Sequence, residues 1–160
     1  MASWREIAEQ VPELAGTVRR LLEVRVHQTL ATLRADGSPR ISGIETTFKG
    51  GEVWIGTMPG TRIAADLRRD PRLAIHGPTE NPDEGDFAAW PGDAKLAGRA
   101  VEVDDPRVAA GFAPKPGQPL RLFRIDVAEI VHTKVGDPVD HLVVESWHEG
   151  RGAERVLRYI

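Results

Sequence analysis

The chain has 160 residues, 41% of them hydrophobic and 28% charged, a balance that fits one soluble globular domain with a single core. Its formal net charge is −3 and its Lys and Arg residues are dispersed, so nothing points to nucleic acid or an anionic membrane as partner. With no cysteines, disulfides, thiolate catalysis and Cys-based metal centres are excluded, and the composition fits a reducing cytoplasm.

Taken in chain order, residues 3–24 read as helical. Ile7, Val11, Leu14, Val18, Leu21 and Leu22 fall near a 3.6 period, and Pro12 starts a second helix with Glu13 in its first turn. This N-terminal segment has early acids and no continuous apolar core, so it does not read as a signal peptide. No apolar run approaches the roughly 20 residues needed to span a bilayer. From residue 26 the period changes to that of strands. A strand at 28–34, a turn at Asp36-Gly37, a strand at 39–48, a turn at Gly50-Gly51 and a strand at 52–57 make an antiparallel meander. Residues 61–69 form a short helix with Ile63, Ala64 and Leu67 inward, and "RLAIHG" is the next strand. Residues 78–93 make a long acidic loop rich in Pro and Gly, whose Phe87 and Trp90 suggest docking on a neighbour. "AKLAGRAVEVDD" is a strand with Gly98 as a bulge or close-approach point. Asp105-Pro106 caps a small helix over 106–112. "LRLFRIDVAEIVHTKV" is a long strand, and the tail gives two short strands around a Glu149–Gly152 turn. Six to eight strands with few helices predict a mainly β, α+β fold: one closed or nearly closed antiparallel barrel spanning residues 1–160.

The chemistry concentrates at "GTMPGTRIAADLRR". Thr61 is placed to cap a helix whose free N–H groups and dipole favour an anion. Arg62 adds a forked cation suited to phosphate, and Thr57 at the end of the preceding strand adds a hydroxyl. None of the five histidines has HxxxH or HExxH spacing, no nucleophile elbow surrounds Ser42, and no metal site is expected.

The ordered set Ala31-Thr32, Asp36-Gly37, Pro39, Thr61-Arg62, Asp70-Pro71-Arg72 and Gly98-Arg99-Ala100 resembles the pyridoxamine 5′-phosphate oxidase-like superfamily of flavin- and deazaflavin-binding split barrels. Trp147, Arg155 and Arg158 also look like that family's C-terminal Trp/Arg element, with altered spacing. The resemblance implies a split β-barrel homodimer with two cofactor sites at the subunit interface. The cofactor phosphate would sit on Thr57, Thr61 and Arg62. Ser42, Gly43, Ile44 and Thr47 would line the isoalloxazine, and Trp147 with Arg155 or Arg158 would approach the same site, from the partner chain if not from its own. Two positions depart from the family pattern. Ile63 stands where a second cation, often Lys, follows the Arg, and Thr47 stands where many flavin members carry a basic residue, with Lys49 two positions on. Oxidation of pyridoxamine phosphate itself is therefore not expected. The resemblance implies a flavin-type oxidoreductase acting on a small molecule. FMN is the leading cofactor, and coenzyme F420 the alternative, its acidic tail using Arg40, Lys49 and Arg68. The second reading, motivated by Ile63, is a non-catalytic barrel that stores or senses flavin or haem, or has lost its cofactor altogether.

Overall fold

The computed structural model describes residues 2–160. Helix α1 (Trp4–Gln10) opens with a reciprocal cap: Glu6 N–H donates to Ser3 Oγ at 3.2 Å, and Ser3 N–H donates to Glu6 Oε2 at 2.7 Å. Helix α2 (Pro12–Glu23) begins at its proline and buries Val18, Leu21 and Leu22. The remaining helices are α3 (Arg62–Arg69) and α4 (Pro106–Ala110). No helix among the described residues is long and apolar enough to cross a membrane.

The strands are β1 (Gln28–Leu33), β2 (Pro39–Ile44), β3 (Thr46–Lys49), β4 (Glu52–Thr57), β5 (Arg72–His76), β6 (Asp93–Val103), β7 (Arg121–Val135), β8 (His141–His148) and β9 (Gly152–Tyr159). They form one antiparallel sheet in the order β2-β1-β5-β6-β7-β4-β3, with β8 and β9 added along the far half of β7. β2 and β3 follow one another in sequence yet stand at opposite ends of this order, so the sheet curls into a barrel that is split between them. The single strand expected over 39–48 is thus two strands, because Glu45 carries the chain across the split. Gln28 bridges this seam. Its Nε2 donates to Leu22 O (2.7 Å) and Arg25 O (2.9 Å), while its Oε1 accepts from Thr46 N (2.9 Å) and Thr46 Oγ1 (3.1 Å). All four hydrogen-bonding positions of the buried amide are filled.

The core lies inside the barrel, where Leu30, Val53, Ile75, Leu96, Ile125, Val127 and Ile130 are closed off by α2. Gly98 sits at a register shift between β6 and β7, and a Cβ there would overlap Asp126 O, so the close approach demands glycine. The loop over 78–93 is not free. Arg25 pairs with Glu80 at 2.8 Å, Trp90 Nε1 donates to Glu80 O at 2.7 Å, and His132 Nε2 donates to Pro91 O at 2.8 Å. These contacts dock the loop on the far half of β7, with Phe87 left 47% exposed.

Candidate functional site

β4 ends at Thr57, Gly60 turns the chain with φ +79°, and Thr61 begins α3 as its N-cap. Thr61 Oγ1 accepts from Ala64 N–H at 3.3 Å and lies 2.8 Å from Thr57 Oγ1. The cap takes up one of the orphan amides of the first turn. The N–H groups of Arg62 and Ile63 have no partner among the described residues, nor does the exposed Arg62 guanidinium. Two hydroxyls, two amides and a cation therefore share one helix entrance, a donor set suited to a phosphate group. Ile63, an aliphatic residue without charge, packs its side chain against the core.

The entrance is held from behind. Asp66, 3% exposed, accepts from Arg40 Nε (2.6 Å), Thr32 Oγ1 (2.9 Å) and Arg69 (2.9 Å), tying α3 to β1 and β2. Burial acts to raise the Asp66 carboxyl, but the hydrogen bonds from Arg40, Arg69 and Thr32 outweigh it and hold the group at about 2. On the opposite flank, Arg68 clamps Glu102 of β6 with bonds of 2.8 and 2.6 Å, which keeps that carboxyl below its usual range.

Strand pairing brings in a residue that the sequence did not single out. Arg121, the first residue of β7, is the cross-strand partner of Thr57. Their Cβ atoms lie on the same face, about 5 Å apart by strand geometry. Arg121 has only a long contact of 3.6 Å to Glu102, itself already taken by Arg68. A second cation thus stands beside the threonine pair from across the sheet. No local spacing could reveal it, since 64 positions separate Thr57 from Arg121.

The other expected site residues divide by face and by distance. Ser42 and Ile44 share the inner face of β2 with Arg40, while Gly43 and Thr47 lie on the outer face. Trp147 is 3% exposed, packs in the core and donates Nε1 to Gln10 at 3.0 Å. Register places Arg155 beside Glu145 on that same inner side, whereas Arg158 and His148 fall on the outer face. All of them belong to strands that join β7 from Glu129 onward, eight residues past Arg121. At 3.3 Å per residue that is about 26 Å of strand beyond the partner of Thr57, so within one chain Trp147, Arg155 and Arg158 belong to the opposite end of β7 from the α3 entrance. The cations weighed for an acidic tail are engaged: Arg40 with Asp66, Arg68 with Glu102, and Lys49 with Gly111 O at 3.2 Å and the Phe112 ring. Among the described residues no cluster of His, Asp and Glu is placed to hold a metal.

Comparison with known proteins decides the family. The family model for pyridoxamine 5′-phosphate oxidase matches residues 14–134, from α2 to the end of β7. The chain belongs to this family. Solved structures agree on the fold. A pyridoxamine 5′-phosphate oxidase-related, FMN-binding protein from Nostoc punctiforme is 15% identical, with 100% of this chain and 98% of that one covered and a TM-score of 0.57. A heme-binding protein from Mycobacterium smegmatis is 15% identical over 92% of this chain and 88% of that one, with a TM-score of 0.55. An F420 reductase is 16% identical over 70% and 94% of the two chains, with a TM-score of 0.52. No curated protein matches the sequence. At these identities the structural likeness establishes the split-barrel fold.

Proposed function

We propose that this family member binds a flavin-type cofactor at the interface of two copies of the chain and uses it as an oxidoreductase on a small-molecule substrate. FMN is the leading cofactor and F420 the alternative. The observation that carries the reading is the α3 entrance, where the Thr57 and Thr61 hydroxyls meet the free amides of Arg62 and Ile63, with the Arg62 cation on the helix and Arg121 paired with Thr57 across the sheet. A phosphate there meets helix dipole, donors and two guanidiniums together. Engagement of Arg40, Lys49 and Arg68 elsewhere favours the single compact phosphate of FMN over a longer acidic tail. When bound, a flavin supplies the redox-active ring, so the chain's own residues need only bind it, orient it and exclude water.

Two features support a second copy. One row of the outer face runs Ile41, Ala31, Ala74, Ala97, with Ile41 74% exposed, a flat apolar strip suited to another protein surface. The separation of β8 and β9 from the α3 entrance also means that their residues meet a cofactor only across an interface. Arg158 and His148, on the outer face, are then the side chains offered to the partner's site. The lack of cysteine supports action in the cytoplasm.

A non-catalytic flavin- or haem-binding role is the second reading. It is motivated by His148, whose Nδ1 is buried without a hydrogen bond while Nε2 lies 2.9 Å from Glu129. Thermal unfolding with FMN, F420 or haemin, combined with sedimentation, tests both. The first reading predicts a raised Tm with FMN or F420 and a dimer. Stabilisation by haemin alone selects the second, and a monomer indifferent to all three rejects both.

A further inference from the structure

A cavity of about 270 Å³ lies between α4 and the turn that leads into β7. It begins where the α3 entrance ends. Arg121, the cross-strand partner of Thr57, forms part of its wall, and so does Glu102, which Arg68 of α3 clamps. Two further wall residues tie the features together. Gln118 Nε2 donates to Sδ of Met58, the residue after Thr57, at 3.3 Å. Leu120 packs so closely on Gly56 that a Cβ there would stand 3.1 Å from it.

Two properties of this neighbourhood exceed what a single phosphate needs. The first is a second cation. Arg62 follows Thr61 and has no partner among the described residues, while Arg121 stands opposite Thr57 with only its 3.6 Å contact to Glu102. A pyrophosphate carries one charge on each phosphate, which matches two separate guanidiniums, each offering its forked N–H groups to one phosphate. The second is the chemistry of the cavity wall. Pro106, Ala109, Ala113, Pro119 and Leu120 are apolar, and Glu102, Asp104 and Asp105 add carboxylates. Arg68 takes Glu102, and Asp105 accepts from Arg107 N–H, but the exposed Asp104 carboxylate and Gln118 Oε1 have no hydrogen bond among the described residues. Such a wall repels a further acidic tail and accepts from neutral donors, as sugar hydroxyls are held by carboxylates in dinucleotide sites.

We propose that this cavity seats the adenosine half of a flavin dinucleotide, FAD, whose pyrophosphate spans Arg62 and Arg121. The inference rests on the cofactor reading above and extends it, because FAD is FMN with an adenylate added at its phosphate. The purine packs against Ala109 and Pro119, and the ribose hydroxyls donate to Asp104. The cavity is near the lower bound of about 300 Å³ for small-molecule sites, which suits one nucleoside with the flavin ring held elsewhere.

The test is isothermal titration calorimetry of the intact chain with FMN and with FAD. The expected result is saturable binding of both, with FAD about tenfold tighter or more. Ala109→Leu fills the cavity and should bring FAD down to the FMN affinity while leaving FMN unchanged. Asp104→Ala, at an exposed position, should lower FAD affinity about fivefold with FMN affinity and Tm unchanged, and it decides the matter if the leucine variant fails to fold. FMN binding with FAD equal or weaker overturns the inference and leaves the cofactor reading standing. An FAD preference kept in full by folded Ala109→Leu, or by Asp104→Ala, also overturns it. Binding of neither flavin removes the cofactor reading and this inference with it.

Discussion

Replacing Asp66 by Asn removes the charge that holds α3 against the barrel. The wild-type carboxylate is 3% exposed and accepts from Arg40, Arg69 and Thr32. In Asp66→Asn the Thr32 bond can persist, but Arg40, with only 18% of its side chain exposed, loses its counter-charge. Breaking a buried pair from one side costs about 3–5 kcal/mol. Arg69 is 40% exposed and keeps its bond to Leu33 O, so the lower end applies, about 3 kcal/mol. At an unfolding entropy of about 2.1 cal/mol/K per residue, that lowers the Tm by about 9 °C. The pH dependence is a sharper test. Because the folded Asp66 value of about 2 lies below its ordinary 3.8, its contribution is complete above that ordinary value and fades as pH falls toward 2. Urea unfolding of both proteins should therefore show a gap of about 3 kcal/mol at pH 7 that shrinks by about 1 kcal/mol at pH 3. Equal stabilities at pH 7, or a gap that widens on acidification, would refute the reasoning.

Other outcomes follow from the same geometry. Arg62→Ala should weaken FMN binding by about 1.5–3 kcal/mol in a flavin-fluorescence titration, and an unchanged affinity moves the phosphate elsewhere. Arg121→Ala should weaken it by a comparable amount, though neither the helix nor the preceding strand contains that residue; no effect would leave Arg62 as the sole cation. Gly98→Ala forces a Cβ into Asp126 O and should cost about 2–4 kcal/mol of stability, so an unshifted thermal transition contradicts the tight β6–β7 approach. Trp147→Phe removes the Nε1 bond to Gln10 in the core and should cost about 1–2 kcal/mol while leaving FMN affinity unchanged. A selective loss of affinity would place Trp147 at the cofactor instead.

Local chemistry made the α3 entrance legible in the sequence. Thr61 caps the helix, Gly60 makes the turn and Asp36-Gly37 closes the first hairpin, because these roles depend on residues within a few positions of one another. Gly98 was also readable, as a glycine interrupting a strand. The seam at Glu45 was not. Residues on both sides of it are strand formers with unbroken alternation, and only the closure of the sheet sends β2 and β3 to opposite edges. The pairing of Arg121 with Thr57 was hidden for a related reason, since register between distant strands is set by the whole sheet. The C-terminal element shows how parity decides a role. Trp147 and His148 are neighbours in sequence, yet the two-residue repeat of a strand sends one into the core and the other outward.

The central claim is that the α3 entrance anchors a flavin-type cofactor, and the visible absorption spectrum of the purified chain, saturated with FMN or F420 and then freed of unbound ligand, addresses it most directly. A flavin or deazaflavin spectrum retained at one cofactor per chain, and lost on Arg62→Ala, is the expected result. A colourless wild-type protein after this treatment would contradict it.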